Sequence, residues 1–555
     1  MIRSASGGLL AFLPVLGLAA CAAAGGGESV PRAAAPRPSP AGTGPGTSGG
    51  HGSGFTAHEE AAWRPADPDI AVGPGHLLTT ANQEIAWWTR AGRLLERHSL
   101  LGSAGFWGAA GAGDFVFDPV VTWDPLGQRF LVAAAEYADD GEYLLLAASS
   151  SAFPQDPWIL VRHRVSPGCR LPDYPNLGVN EEAVLISCDC LTTGGARLYA
   201  WDKAALYAGT PSPPMEIQLS SHWLAAANTT CADPGRDPVL LTSFSGSLED
   251  LLLLAIRDPL GSPVVEETLV PVPAFDHPPD VDQAGTSVRV DVIDFRFKDA
   301  ELRDDRLYAA HTIGADGLAR VRWYALDLQG WPESGLQPVL EEAGEAELPA
   351  GVHGFYPDLA VDADGNLALA WSRSSAAEAI GAEGALRRAG DPPGSLRGPF
   401  SLGTSTGAWF GDRWGDYQTV AADPFAPGLF WTHLMLQDQD RWRSLVAPLR
   451  IDPEAPVLRG PEAVGASWQW TVEGASPGAS ILLAWSFEAG ATPAACGAVL
   501  WLNAPRAGPP QAADLNGRAV FTAAPPPAAA GRRLLLQALD LDACRTTNRL
   551  AWILP

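Results

Sequence analysis

From about residue 60 onward, apolar and polar residues alternate with a period of two, and no helical spacing of three and four persists over 12 residues. The stretch YPDLAVDADGNLALAWSRSS, running from Tyr356 to Ser375, sets the pattern. An aromatic residue and a proline lead into an alternating run, a turn follows at Asp364-Gly365-Asn366, and a second alternating run completes it. This predicts two antiparallel strands joined by a tight turn. Turn residues recur every 8–12 positions, as expected of an all-β chain.

The same unit returns along the chain. ADPDIAVGPGHLLTTAN begins at Ala66, FDPVVTWDPLGQRFLVAA at Phe117, DYPNLGVNEEAVLISC at Asp173 and RDPVLLTSFSG at Arg236. FYPDLAVDADGNLALAW begins at Phe355 and GDYQTVAADPFAPGLFWTHL at Gly415; a weaker copy, SVRVDVIDFRFKDAELRDDRLYAAHTI, begins at Ser287. Spacings run from about 50 to 65 residues. A β-only repeat of that length is one four-stranded sheet, and such sheets bury both faces only when arranged radially as the blades of a propeller. The proline fits the scheme: lacking an N–H, it is tolerated at the first residue or exposed edge of a strand, and the innermost strand of a blade is both. Starts near 67, 118, 174, 237, 289, 356 and 416 predict seven blades over residues 59–452, or six if the copy at 289 is an excursion from a neighbour.

The chain ends read differently. MIRSASGGLLAFLPVLGLAAC has a positive start at Arg3 and an apolar run from Gly8 to Ala20, too short for a membrane span and closed by small residues, as in a secretory signal. Leu18-Ala19-Ala20-Cys21 resembles the lipobox of bacterial lipoproteins. That resemblance implies removal of residues 1–20, lipid on Cys21, and, with Ala22 rather than Asp following, residence in the outer membrane. Residues 21–58 are Gly, Pro, Ala and Ser with almost no large apolar side chains, which reads as a tether of about 35 Å reach. Beyond Asp452 strands shorten and small residues multiply, so residues 453–555 read as a separate small β-sandwich.

Seven cysteines suit an exported chain; with Cys21 lipidated, the other six are even in number and fit disulfides. Cys169, Cys188, Cys190 and Cys231 fall in one region with pairing open, and Cys496 and Cys544 near the end would close a loop worth about 4 kcal/mol. The spacing S-C-D-C is not that of a zinc site, and no HExxH occurs. Net charge is −26, which argues against a nucleic-acid partner. No cofactor is indicated, although so acidic a surface leaves room for a structural calcium. Lys203 and Lys298 are the only lysines among 37 basic residues, a bias that reads as compositional.

Taken as a set, DPDIAVGP, FDPVVTWDPLGQRF, DYPNLGV, YPDLAVDADGNLALAWSRSS and RWGDYQTVAADP resemble exported bacterial β-propellers near the sialidase or BNR-repeat superfamily. The resemblance covers roughly residues 60–450 and implies a propeller without a known reaction. Departures are plain: Asp364 stands directly before Gly365, so the Asp-box is unmatched, and Arg64-Pro65 lacks the middle residue of the Arg-Ile-Pro motif. Arginines (Arg289, Arg373, Arg413) and tyrosines (Tyr174, Tyr356, Tyr417) are present, with no spacing that ties them together. GTSTG, Gly403–Gly407, matches the hydrolase elbow G-x-S-x-G but lacks a following helix, and the tether matches it too. If inner strands start at one rim, Asp118, Asp173, Tyr174, Tyr356, Arg373, Arg413, Trp414, Asp416 and Tyr417 converge on the axis as ligand-binding candidates. The function expected is a surface lipoprotein that binds a glycan or protein ligand or acts as a scaffold, with a sialidase-like glycoside hydrolase as the alternative.

Overall fold

The computed structural model describes residues 54–553 apart from 61–62, 230–232, 234, 412, 425, 440, 452–456, 465–466 and several short stretches beyond 487. Cys21, Cys231, Cys496, Cys544 and the signal segment lie outside the described residues, as does the tether up to residue 53. The described chain is nearly all β, with one five-residue helix, Lys203–Tyr207. None of its helices is long and apolar enough to cross a membrane.

Between Phe55 and Arg450 lie seven mainly antiparallel sheets of four or five strands. Their inner strands are, in order, Asp69–Val72, Val116–Asp124, Pro172–Val179, Ala225–Ala226, Phe297–Arg303, His353–Val361 and Thr419–Ala422. Each inner strand packs against the next, and the last packs against the first, so the sheets close into a propeller ring. Seven apolar clusters fill the spaces between consecutive sheets. Phe130, Trp87 and Leu145, for example, join the first and second, and Ile70, Trp88 and Trp431 join the first and seventh. The remaining gaps are filled in the same way. The near-continuous burial of strands such as His353–Val361 follows from this: both faces of every sheet meet a neighbour.

Ring closure corrects the expected tether boundary. Phe55–His58, placed in the tether on composition, belongs instead to the outer strand of the seventh sheet, Phe55–Glu59, paired with Arg441–Arg450. His58 there is fully buried and bonds Thr79 and Glu84 of the first sheet through its two ring nitrogens. Two repeat starts also move. Asp237-Pro238 precedes the second strand of the fourth sheet, Val239–Thr242, and its inner strand is only the dipeptide Ala225–Ala226. Val290 and Asp291 form isolated bridges to Val281 and Arg413, and the inner strand of the fifth sheet begins at Phe297.

Past residue 456, one sheet joins Val457–Val464, Ser467–Glu473 and Ala519–Ala523, and another is built around Ser480–Ser486, Arg533–Asp540 and Arg545–Ile553. Leu458, Trp470, Ile481, Leu536 and Trp552 form a core drawn from both. Cys169 and Cys190 form a disulfide, and Cys188 is a buried free thiol rather than a partner in a second bridge.

Candidate axial site

Four inner strands open on the same local conformation. Asp67, Asp118, Tyr174 and Tyr356 have φ of 47°, 50°, 54° and 49°, in the left-handed region, and each precedes a proline. Trp223 and Ile293 hold the same conformation, at 54° and 58°, before the fourth and fifth inner strands. A left-handed non-glycine residue costs about 1–2 kcal/mol. Here the conformation bulges the strand, with register shifts between Phe117 and Val120, Asp173 and Asn176, and Phe355 and Asp358. The next polar residue then bonds across to the following sheet. Asp69 accepts from Val121 N (3.0 Å), Asn176 from Ala226 N (2.7 Å) and Asp358 from Val420 N (2.7 Å). The motif Asp/Tyr-Pro-Asp/Asn therefore stitches the ring and points its first side chain at the axis.

Most of the expected residues meet there. Tyr417 donates to Asp118 (2.9 Å) and stacks on Tyr174, with ring centroids 5.7 Å apart. Tyr356 donates to Asp416 (3.4 Å), and Asp416 is ion-paired with Arg413. Asp173 lies near enough to Asp67 and Asp118 to repel both. Two expected members stand elsewhere. Arg373 is held on the sixth sheet by Glu378 and Glu383. Trp414 is buried, packs edge-on to Trp409 and donates to Ser372 (3.0 Å). Arg289 pairs locally with Asp282. Ser405 of the GTSTG stretch is buried and accepts from Gln437 N, so the stretch forms no nucleophile elbow.

The axis also holds residues outside the expected set. Asp67 is buried and accepts from Asn82 (2.7 Å) and from Asp416 N (2.8 Å). Arg296 is clamped by Asp294 and lies 3.5 Å over the Trp223 ring and 5.1 Å over Tyr174. Lys298 sits 3.4 Å from Asp69 and 5.2 Å over Tyr417. Both lysines of the chain are in fact buried against aspartates, Lys203 on Asp124 at 3.1 Å. Asp67 was legible: ADPDI repeats the Asp-Pro of FDPVV. Arg296 and Lys298 carried no local signal.

Burial raises the Asp118 carboxyl to about 8, and repulsion from Asp67 and Asp173 adds to it, against the Tyr417 hydroxyl and Arg413. Burial raises Asp67 to about 7 despite Arg413 and Asn82, and also lifts Asp173. Deeper along the axis, burial pushes Asp299 to about 7 and Asp358 upward. At neutral pH the centre is therefore a partly protonated carboxyl cluster with Arg413 as its partly exposed counter-charge. Paired carboxyls poised near neutrality are the chemistry of general acid–base work. The adjoining cavity, however, is about 20 Å³, room for one or two waters. Its wall includes Tyr174, Arg296, Tyr356 and Asp416, and Asp67, Asp118 and Asp173 stand outside it. Among the described residues no group of three His, Cys, Asp or Glu side chains is placed to hold a metal ion.

No family model matches the chain, and no curated relative matches it either. Among solved structures it is similar to PorZ, a surface component of the type-IX secretion system of Porphyromonas gingivalis, at 8% identity over 87% of this chain and 70% of that one, TM-score 0.27. It is similar to an endo-arabinase from Bacteroides thetaiotaomicron at 13% identity over 65% of this chain and 99% of that one, TM-score 0.29. An exo-β-1,3-galactanase from Phanerochaete chrysosporium gives 8% identity, 90% and 100% coverage and TM-score 0.28. Likenesses this distant carry no argument about activity.

Proposed function

We propose that the chain is an exported lipoprotein anchored through Cys21, whose ring of sheets is a seven-bladed propeller followed by a C-terminal β-sandwich, and that it works as a binding or scaffold module at the outer membrane or cell surface. The observation that carries the choice of binder over enzyme is the state of the axial acids. Asp67 and Asp118 accept hydrogen bonds from Asn82, Asp416 N and Tyr417, Asp416 is tied to Arg413, and the cavity beside them has no room for a sugar. A glycosidase needs two carboxyls facing one substrate-sized space, roughly 5–10 Å apart. The Cys169–Cys190 bridge supports an oxidising compartment, and the net charge of −26 supports a protein or glycan partner over nucleic acid.

The glycosidase reading keeps one favouring observation, the raised carboxyls of both Asp67 and Asp118. A panel of fluorogenic glycosides, including a sialoside, separates the two. The binder reading expects no turnover above background; turnover that disappears in Asp118→Asn would replace it with the hydrolase. For the anchor, Cys21→Ala should abolish palmitate labelling and membrane retention, and labelling that persists would remove the lipoprotein part of the reading.

A further inference from the structure

A second opening shares no lining residue with the axial cavity. Its wall is built from the connections between the third and fourth sheets, within the fourth, and between the fourth and fifth, and its volume is about 530 Å³. That is within the range of ligand sites, roughly 300–1,000 Å³. Its apolar side is Phe244, Leu248 and Phe295, and Phe244 and Phe295 stack with centroids 4.6 Å apart. The rest is serine and histidine, with one glycine; among the described lining residues none is Asp, Glu, Lys or Arg. In a chain this rich in acids, an uncharged wall selects against ionic ligands, because a buried charge would meet no partner.

The polar groups are also oriented. The Ser221 hydroxyl donates to Phe244 O (2.8 Å), which leaves its oxygen lone pairs to accept, while the Ser243 hydroxyl, fully buried, donates to Phe295 O (2.6 Å). His222 Nδ1 lies 3.0 Å from the Asp189 carboxylate, which also accepts from Trp223 N (2.9 Å). A proton held on Nδ1 by this contact leaves Nε2 as the acceptor of a side chain that is 48% exposed. Asp189, buried behind the ring, repels anions. The cavity thus combines aromatic surface with fixed acceptors and no formal charge.

We infer that this cavity is a binding site for a neutral sugar, whose ring lies against the phenylalanine side and whose hydroxyls donate to Ser221 and His222. The site is separate from the axis and does not depend on the lipid-anchor reading. The test is saturation-transfer NMR on the intact chain with neutral probes (D-glucose, D-galactose, D-xylose, N-acetyl-D-glucosamine, lactose) and anionic ones (D-glucuronate, N-acetylneuraminate). At least one neutral probe should bind at least tenfold more tightly than either anion. Its affinity should fall at least tenfold in His222→Ala and again in Ser220→Trp, which fills the mouth from an exposed position. Unchanged melting temperatures would show that both variants fold. Silence from every neutral probe, equal or tighter binding of the anions, or binding that survives both substitutions would overturn the assignment.

Discussion

The axial carboxyls make a quantitative prediction about stability against pH. Burial, with repulsion from neighbouring aspartates, holds Asp118 at about 8 and Asp67 at about 7, both far above an unfolded aspartate near 3.9. Between those values the folded chain binds protons that the unfolded chain has released, so stability falls as pH rises through the folded values. The effect is read over the window pH 6.5–8.5, where Asp299 and Asp237, also raised to about 7 by burial, add to the fall in the parent, and the Asp118 share is isolated by the Asp118→Asn variant. Below it, the buried His58, His311 and His433, whose values burial depresses, act in the opposite direction. Above it, thiol ionisation in the unfolded chain intervenes, since burial holds Cys188 protonated when folded. Integrating proton uptake across the window gives a loss of about 2 kcal/mol from Asp118 and about 1 kcal/mol from Asp67. Asp118→Asn keeps an oxygen to accept from Tyr417 and removes the charge. It should therefore be more stable than the parent at pH 8.5 by about 2 kcal/mol, and nearly equal at pH 6.5. Urea melts of both proteins at the two pH values, with matched slopes, measure this directly. A parent whose stability rises from pH 6.5 to 8.5, or a variant equally destabilised at both, would refute the carboxyl-cluster account.

Truncation through Glu60 removes Phe55–Glu59 from the seventh sheet and should lower the melting temperature by several degrees in a thermal scan. Arg90→Met leaves Asp423, fully buried and ion-paired to Arg90 across the first and seventh sheets, without that partner; the cost should be about 3–5 kcal/mol by urea melts. Reduction of Cys169–Cys190, which closes a separation of 21 residues, should lower stability by about 3 kcal/mol, and a dithiothreitol-insensitive urea midpoint would show that the bridge contributes nothing.

The fold was legible where the repeat carries its own physical mark. Asp67-Pro68, Asp118-Pro119, Tyr174-Pro175 and Tyr356-Pro357 announced four inner strands, because the proline, the left-handed residue before it and the bulge form one local device. It failed where that device is absent. The fourth inner strand is two alanines preceded by Trp223, too short to show a period, so the nearest Asp-Pro, at 237–238, drew the assignment to the second strand. Ile293 takes the left-handed place in the fifth sheet without a proline, and the bridges at Val290 and Asp291 imitate a strand start before it. Phe55–His58 was lost to composition because its partner lies almost 400 residues away. Side-chain placement failed for a related reason. Arg373 sits on the second strand of its sheet, where Glu378 and Glu383 of the adjacent strand capture it, and nothing in a linear reading separates that from an axial position.

Convergence explains why like charges meet at the centre. A ring of repeats brings the same repeat position together at the axis, so an Asp in the left-handed place of two adjacent copies must face another Asp. The third and sixth copies carry Tyr instead, and their rings stack or donate hydrogen bonds without repulsion. The two aspartates are not equivalent, however. Asp67 accepts from Asn82 of its own sheet on one oxygen and from Asp416 N, just before the seventh inner strand, on the other, so it links the first sheet to the seam where the ring closes. An amide there would present one acceptor in place of two and lose one of these two bonds together with the charge. Asp118 is approached across the axis by Tyr417, while its backbone N–H is already held by Asn82. Its neutral replacement therefore leaves the seam intact, and the pH dependence of that variant reports on the charge of the cluster rather than on closure of the ring.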